Sequence, residues 1–152
     1  MVTVALYRQA REIRISATPE ACFDVLTDYE QMPRWQSRMV ECTVVSYGEG
    51  ELAREVQYAI DALIRTVRYR LVHRYDRPNW IEGRYVSGDL RCLEGDYTLR
   101  ARGAATLVRF ELAIDPGVGV PRPVQRMLGE AVMGRALVDL KRRVESVVDG
   151  PQ

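Results

Sequence analysis

Between Met39 and Ile114 the chain keeps a two-residue hydrophobic period and interrupts it only at short turns. Val40–Tyr47, Leu52–Ile60, Ile64–Tyr75, Trp80–Val86, Leu90–Ala101 and Thr106–Ile114 each read as a strand. Gly48-Glu49-Gly50, Asp61-Ala62, Asp76–Asn79, Ser87-Gly88-Asp89 and Gly103-Ala104 separate them. Connections this short cannot hold a parallel crossover, so neighbouring strands are predicted to pair antiparallel. Residues two apart share a face. Val67, Tyr69, Leu71 and His73 therefore point one way, and Thr66, Arg68, Arg70 and Arg74 the other. Leu52, Val56, Tyr58 and Ile60, then Leu93, Tyr97 and Leu99, then Val108, Phe110, Leu112 and Ile114 repeat the pattern. A sheet with one apolar and one charged face must be covered on the apolar side.

The C-terminal run is the predicted cover. Pro121 and Pro123 suit a helix entry, where a missing N–H costs nothing. No further proline occurs until Pro151, and Gly150-Pro151 marks the stop. A helix to about Val148 would be on the order of 35–40 Å long. Val124, Met127, Leu128, Ala131, Val132 and Val138 form one apolar stripe. Met133, Leu137, Leu140, Val144 and Val147 form a second on another face. Two stripes meeting near Gly134 predict a helix wrapped on more than one side by the rest of the chain. Gly129 and Gly134 offer close packing or a bend.

Ahead of the strand series, about Val4 to Ser16 reads as a first strand, clearest at Ile13 and Ile15. Thr18 is placed to cap a short helix with Pro19 in its first turn, burying Ala21, Cys22, Val25 and Leu26 and ending near Asp28. Tyr29–Trp35 reads as a second short helix or turn, broken at Pro33. The predicted order is strand, two short helices, six strands and a long helix, in one domain over residues 1–152.

A net charge of +1 excludes a global field that would draw the chain to nucleic acid or an anionic membrane. Cys22, Cys42 and Cys92 are widely spaced, and His73 is the sole histidine, so no zinc-ligand pattern exists and no metal is expected. No secretory leader and no apolar run near 18 residues is present, which predicts a cytoplasmic protein with reduced thiols and no integral membrane contact.

Three stretches carry a family resemblance. The first runs Ile13-Arg14-Ile15-Ser16-Ala17-Thr18-Pro19-Glu20 and on through Asp28-Tyr29-Glu30 and Pro33-Arg34-Trp35. The second is Gly88-Asp89-Leu90-Arg91-Cys92-Leu93-Glu94-Gly95-Asp96-Tyr97-Thr98-Leu99. The third is Val120-Pro121 with Leu137 to Val144. In this order they resemble the START-like, or SRPBCC, superfamily, whose members include polyketide cyclases/dehydrases and coenzyme Q-binding START-type proteins. The resemblance implies an α+β helix-grip fold, a curved antiparallel sheet of about seven strands wrapped around the long C-terminal helix. It also implies a bulky hydrophobic ligand (lipid, quinone or polyketide-like) held between sheet and helix. Leu90 and Leu99 stand where that family's second stretch carries aromatics, so the cavity is expected to be lined differently from a coenzyme Q binder.

On this reading Tyr58, Tyr69, His73 and Tyr97 line the ligand site with Val108 and Phe110. Trp35 and Tyr85 extend it, and Met127 and Met133 supply an adaptable wall. No cofactor is expected. Alternatively, the cavity is that of an aromatase/cyclase that folds a poly-ketone chain. His73 would then serve as acid or base, and Arg65 and Arg84 as carbonyl holders. His73 also reads simply as a strand-end histidine bonded to backbone, and both arginines as surface groups. A third reading makes the row Arg68, Arg70 and Arg74, with Arg122 and Arg126, a surface for a ribosome, nucleic acid or protein partner. A solvated sheet face explains the row as well.

Overall fold

The computed structural model describes residues 7–63, 65–117 and 119–149. The order is β1 (Tyr7–Ile15), α1 (Pro19–Thr27), a 3₁₀ turn (Tyr29–Arg34), β2 (Met39–Tyr47), β3 (Ala53–Asp61), β4 (Thr66–Asp76), β5 (Trp80–Gly88), β6 (Cys92–Arg102), β7 (Ala105–Asp115), α2 (Arg122–Met133) and α3 (Ala136–Asp149). Thr18 caps α1 by accepting from the Ala21 amide at 3.2 Å, and Pro19 opens the helix, as their positions predict.

All seven strands lie in one antiparallel sheet, in the order β1-β7-β6-β5-β4-β3-β2. β2 to β7 form a meander of hairpins. β1 pairs with β7 at the far edge, so α1 and the 3₁₀ turn carry the chain across the sheet to β2. Bulges interrupt the β2–β3 and β4–β5 pairings, and extra residues there bend the strands and increase their twist. The expected faces hold: Val67, Tyr69 and Leu71 are buried, while Thr66, Arg68 and Arg74 are exposed. β6 starts at Cys92, two residues later than its pattern predicts, because the Leu90 backbone is engaged by the Tyr85 hydroxyl.

α2 and α3 lie over the apolar face. α3 packs on β1 and α1, whereas α2 touches β7, β1 and β3. The predicted single helix is broken at Gly134–Arg135. Arg11 of β1 explains the break: its guanidinium donates to the Gly134 carbonyl at 3.3 Å and to Glu130 at 2.7 Å. A carbonyl taken by a side chain is withdrawn from the helix ladder, which is interrupted there. Gly129 admits the Tyr7 ring so closely that a β-carbon would stand 2.3 Å from it. Val138 and Val147 are 43% and 52% exposed, contrary to their predicted place in the apolar stripes. The predicted start of β1 at Val4, the Ile64 start of β4 and the Gly150-Pro151 stop lie outside the described residues. Among the described residues no helix is long and apolar enough to cross a membrane.

Candidate ligand cavity

A cavity of about 80 Å³ lies between the sheet's apolar face and the helices. Its floor is a patchwork of cross-strand pairs. Tyr58 of β3 faces Tyr69 of β4, and their rings stack at 5.2 Å. Tyr97 of β6 faces Phe110 of β7, with rings parallel at 4.3 Å. Between these pairs, Gly83 of β5 opposes Gly95 of β6. A β-carbon at Gly83 would stand 3.2 Å from the His73 ring and 3.1 Å from the Gly95 carbonyl, so glycine is what lets the imidazole lie down on the sheet.

His73 is held at both nitrogens. Nδ1 lies 3.2 Å from the Glu82 backbone carbonyl, and Nε2 lies 2.6 Å from the Tyr58 hydroxyl. A carbonyl only accepts, so Nδ1 carries the proton and donates it. Burial drives the imidazole down to about 4, so the ring is neutral near pH 7. Its Nε2 lone pair therefore accepts from Tyr58. The Tyr29 ring stacks on His73 at 5.0 Å. Tyr75 donates to the Ala53 carbonyl, which leaves Tyr29 to donate to the Tyr75 oxygen at 2.9 Å. Burial raises every one of these phenols, Tyr75 to about 12 and Tyr29, Tyr58, Tyr69 and Tyr97 further still, so all stay protonated.

The roof comes from Leu26 of α1, Tyr29 and Met32 of the 3₁₀ turn, and Ala131, Val132 and Ala136 around the helix break. The polar members gather on one rim, where Gln36, Arg38, Arg135 and Asp139 meet. Asp139 is buried on α3 and accepts from the Ser37 amide at 2.9 Å and hydroxyl at 2.8 Å, while Arg135 approaches its other oxygen at 3.5 Å. The cavity is thus apolar with a small set of oriented polar groups, the usual make-up of a small-molecule site.

The sequence model for polyketide cyclase/dehydrase and lipid-transport proteins matches residues 8–145. The chain belongs to that family. No curated protein sequence matches it. Among solved structures, a START superfamily protein from Mycobacterium smegmatis superposes with a TM-score of 0.81 at 19% identity, over 91% of this chain and 97% of that one. A protein from Thermus thermophilus gives 0.81 at 21% identity, over 95% and 100%. An aromatase/cyclase from Streptomyces sp. R1128 gives 0.80 at 13% identity, over 97% and 100%. At these identities the likeness is one of fold, and the helix-grip architecture is common to all three.

Within this member of the family, the expected ligand residues divide into two groups. Tyr58, Tyr69, His73, Tyr97 and Phe110 come together on the cavity wall. Trp35, Tyr85, Val108, Met127 and Met133 lie off it. Trp35 turns into a cleft between α1 and α3, beside Val25 and Val144. Tyr85 spends its hydroxyl on the Leu90 backbone, donating to the carbonyl at 2.6 Å. Val108 and Met133 are fully packed in the core, and Met127 is half-buried on α2. Ala131 and Val132 supply the α2 wall instead.

The three catalytic candidates also separate. His73 is in the cavity, yet Arg65 is exposed in the β3–β4 loop. Arg84 sits on the sheet's outer face, where its hydrogen bond to Asp96 at 2.7 Å holds the guanidinium above its usual range. The arginine row is matched by carboxylates on the same face: Arg68 with Glu41 at 2.7 Å, Arg70 with Glu55 at 3.7 Å and Arg74 with Glu82 at 3.6 Å.

Sequence reasoning missed Tyr29, Met32, Arg38, Met39 and the helix-break residues. Tyr29 and Met32 stand three apart, the repeat of a 3₁₀ turn with one buried side, and that spacing was the available signal. Among the described residues no three His, Cys, Asp or Glu side chains gather as a metal-binding group.

Proposed function

We propose that this chain binds a bulky hydrophobic small molecule, such as a lipid, quinone or polyketide-like compound, in the cavity between the sheet and the helix break. The observation that carries the reading is the wall itself. Stacked aromatic pairs and aliphatics surround a few hydroxyls whose orientation is already set, which offers apolar area together with fixed polar contacts. At about 80 Å³ the space is well below the ~300–1,000 Å³ of drug-sized sites, so a bulky ligand must widen it. Met32 and Met39 can repack to make that room.

An aromatase/cyclase acting on a poly-ketone chain is the second reading. Tyr69 and Tyr97 favour it, since protonated hydroxyls in an apolar cavity can polarise ketones. The same cavity offers no unoccupied base among the described residues. His73 already accepts the Tyr58 proton, and Asp139 is bonded to Ser37. A binding role therefore has the stronger support. The test is native mass spectrometry of the purified protein, followed by denaturing extraction and identification of what is released. A co-purifying lipid, quinone or aromatic polyketide would support the proposal. A protein without such a molecule, and without a thermal shift across a panel of them, would count against it.

A further inference from the structure

The chain of donors around His73 fixes what the cavity can recognise. The Glu82 carbonyl takes the Nδ1 proton, so Nε2 must accept, and the Tyr58 hydroxyl must donate to it across 2.6 Å. A hydroxyl has one proton and two lone pairs. With its proton turned to His73, Tyr58 can only accept from anything else in the cavity. The neighbouring Tyr69 is in the opposite condition. It is 4% exposed, lines the cavity, and its hydroxyl has no hydrogen-bond partner among the described residues. Tyr97 likewise has none. Among the described residues no buried side-chain polar atom is left unpartnered, so these two hydroxyls reach open space, and on this face that space is the cavity.

We propose that the cavity selects a ligand bearing a hydroxyl hydrogen, a phenol or an enol, which donates to Tyr58, and that Tyr69 or Tyr97 donates to a carbonyl where the ligand carries one. The Tyr58–His73 pair is then the specificity element, and a ligand presenting only acceptors at Tyr58 meets a lone pair with a lone pair. This inference rests on the binding reading above. By the same logic a hydroquinone is preferred to its quinone.

The test uses the purified full chain with three small probes of matched ring system, followed by calorimetry: 2-naphthol, 2-methoxynaphthalene and 2-acetonaphthone. Wild type is expected to bind 2-naphthol on the order of tenfold more tightly than 2-methoxynaphthalene, the size of one net hydrogen bond. Tyr58→Phe removes the acceptor and is expected to bring the two affinities together. His73→Leu frees the Tyr58 proton and is expected to improve 2-acetonaphthone relative to 2-naphthol. Tyr58→Phe changes no ring volume, so the result stands if His73→Leu fails to fold. Equal affinity of wild type for naphthol and its methyl ether, or a naphthol preference that survives Tyr58→Phe, would overturn the proposal while leaving the binding reading intact. Failure of all three probes to bind at their solubility limits would overturn the binding reading itself.

Discussion

Tyr58 gives its hydroxyl proton to Nε2 of His73 across 2.6 Å, and both residues face the cavity from adjacent strands. The pair is set by three placements: the alternation that turns both inward, the Glu82 carbonyl that accepts from the Nδ1–H and leaves Nε2 a bare acceptor, and the Gly83 backbone that leaves room for the ring. Phenol and imidazole are pushed apart in acidity by burial, Tyr58 upward and His73 down to about 4. Proton transfer between them is therefore strongly unfavourable, and the pair acts as a fixed polar contact, not as an acid–base relay.

Stability should fall as acid is added through the range set by His73. Its folded-state value is about 4, below the 6.5 of an unhindered imidazole, so the unfolded chain binds the proton first. Stability is fully present above 6.5 and declines between 6.5 and about 4, by about 3 kcal/mol for this group. Urea melts across pH 4–7 should show that slope, and His73→Gln should remove this part of it. An unchanged slope in His73→Gln would assign it elsewhere.

Gly83→Ala should destabilise despite the better strand propensity of alanine. The new methyl would sit 3.1 Å from the Gly95 carbonyl and 3.2 Å from both His73 and Leu71. The imidazole is held by two hydrogen bonds and cannot readily step back. A loss of about 1–3 kcal/mol in urea denaturation is expected, the usual cost of overpacking. A stabilised variant would mean that the ring does not lie over Gly83.

Asp139→Ala should loosen the rim. It strips the Ser37 amide and hydroxyl of their acceptor and unties α3 from the segment that leads into β2. A cost of about 1–3 kcal/mol is expected from groups left unpaired. Thermal denaturation measures it, and Asp139→Asn, which keeps an acceptor oxygen, should recover part of the loss.

The thiols should be inert in the folded protein. Burial raises Cys22 to about 11 and Cys42 further, and half-buried Cys92 is raised as well. Thiolate is the reactive form, so Ellman's reagent at pH 8 should react slowly until denaturant is added. Rapid stoichiometric labelling of native protein would contradict this.

The sheet was legible because period two survives wherever one face is buried, and Val67-to-Leu71 and Val108-to-Leu112 carry it without interruption. Helix entry at Thr18-Pro19 was legible because capping is local chemistry. The interruption near Gly134 was legible as a place for a bend, from the two stripes that meet there, but not the contact made there by Arg11, which is more than a hundred residues away in sequence. The cavity wall was half legible. Alternation says that Tyr58, Tyr69 and Tyr97 face inward, but it cannot say where along an inward row the helices leave space. Val108 and Phe110 share a face, yet only Phe110 reaches the cavity. Helix rotation decides between Met133 and Val132 in the same way.

Ligand binding between sheet and helices is tested most directly by filling the cavity from the helix side. Ala131 lines it from α2, and Ala131→Trp would occupy the space from the side opposite the sheet. Titration with 1-anilinonaphthalene-8-sulfonate, followed by fluorescence and by thermal melting, compares that variant with wild type. Wild type is expected to show saturable binding and a raised melting temperature, and a folded Ala131→Trp protein to lose both. Equal binding by the two proteins would place the apolar ligand site somewhere other than between the sheet and the helix break.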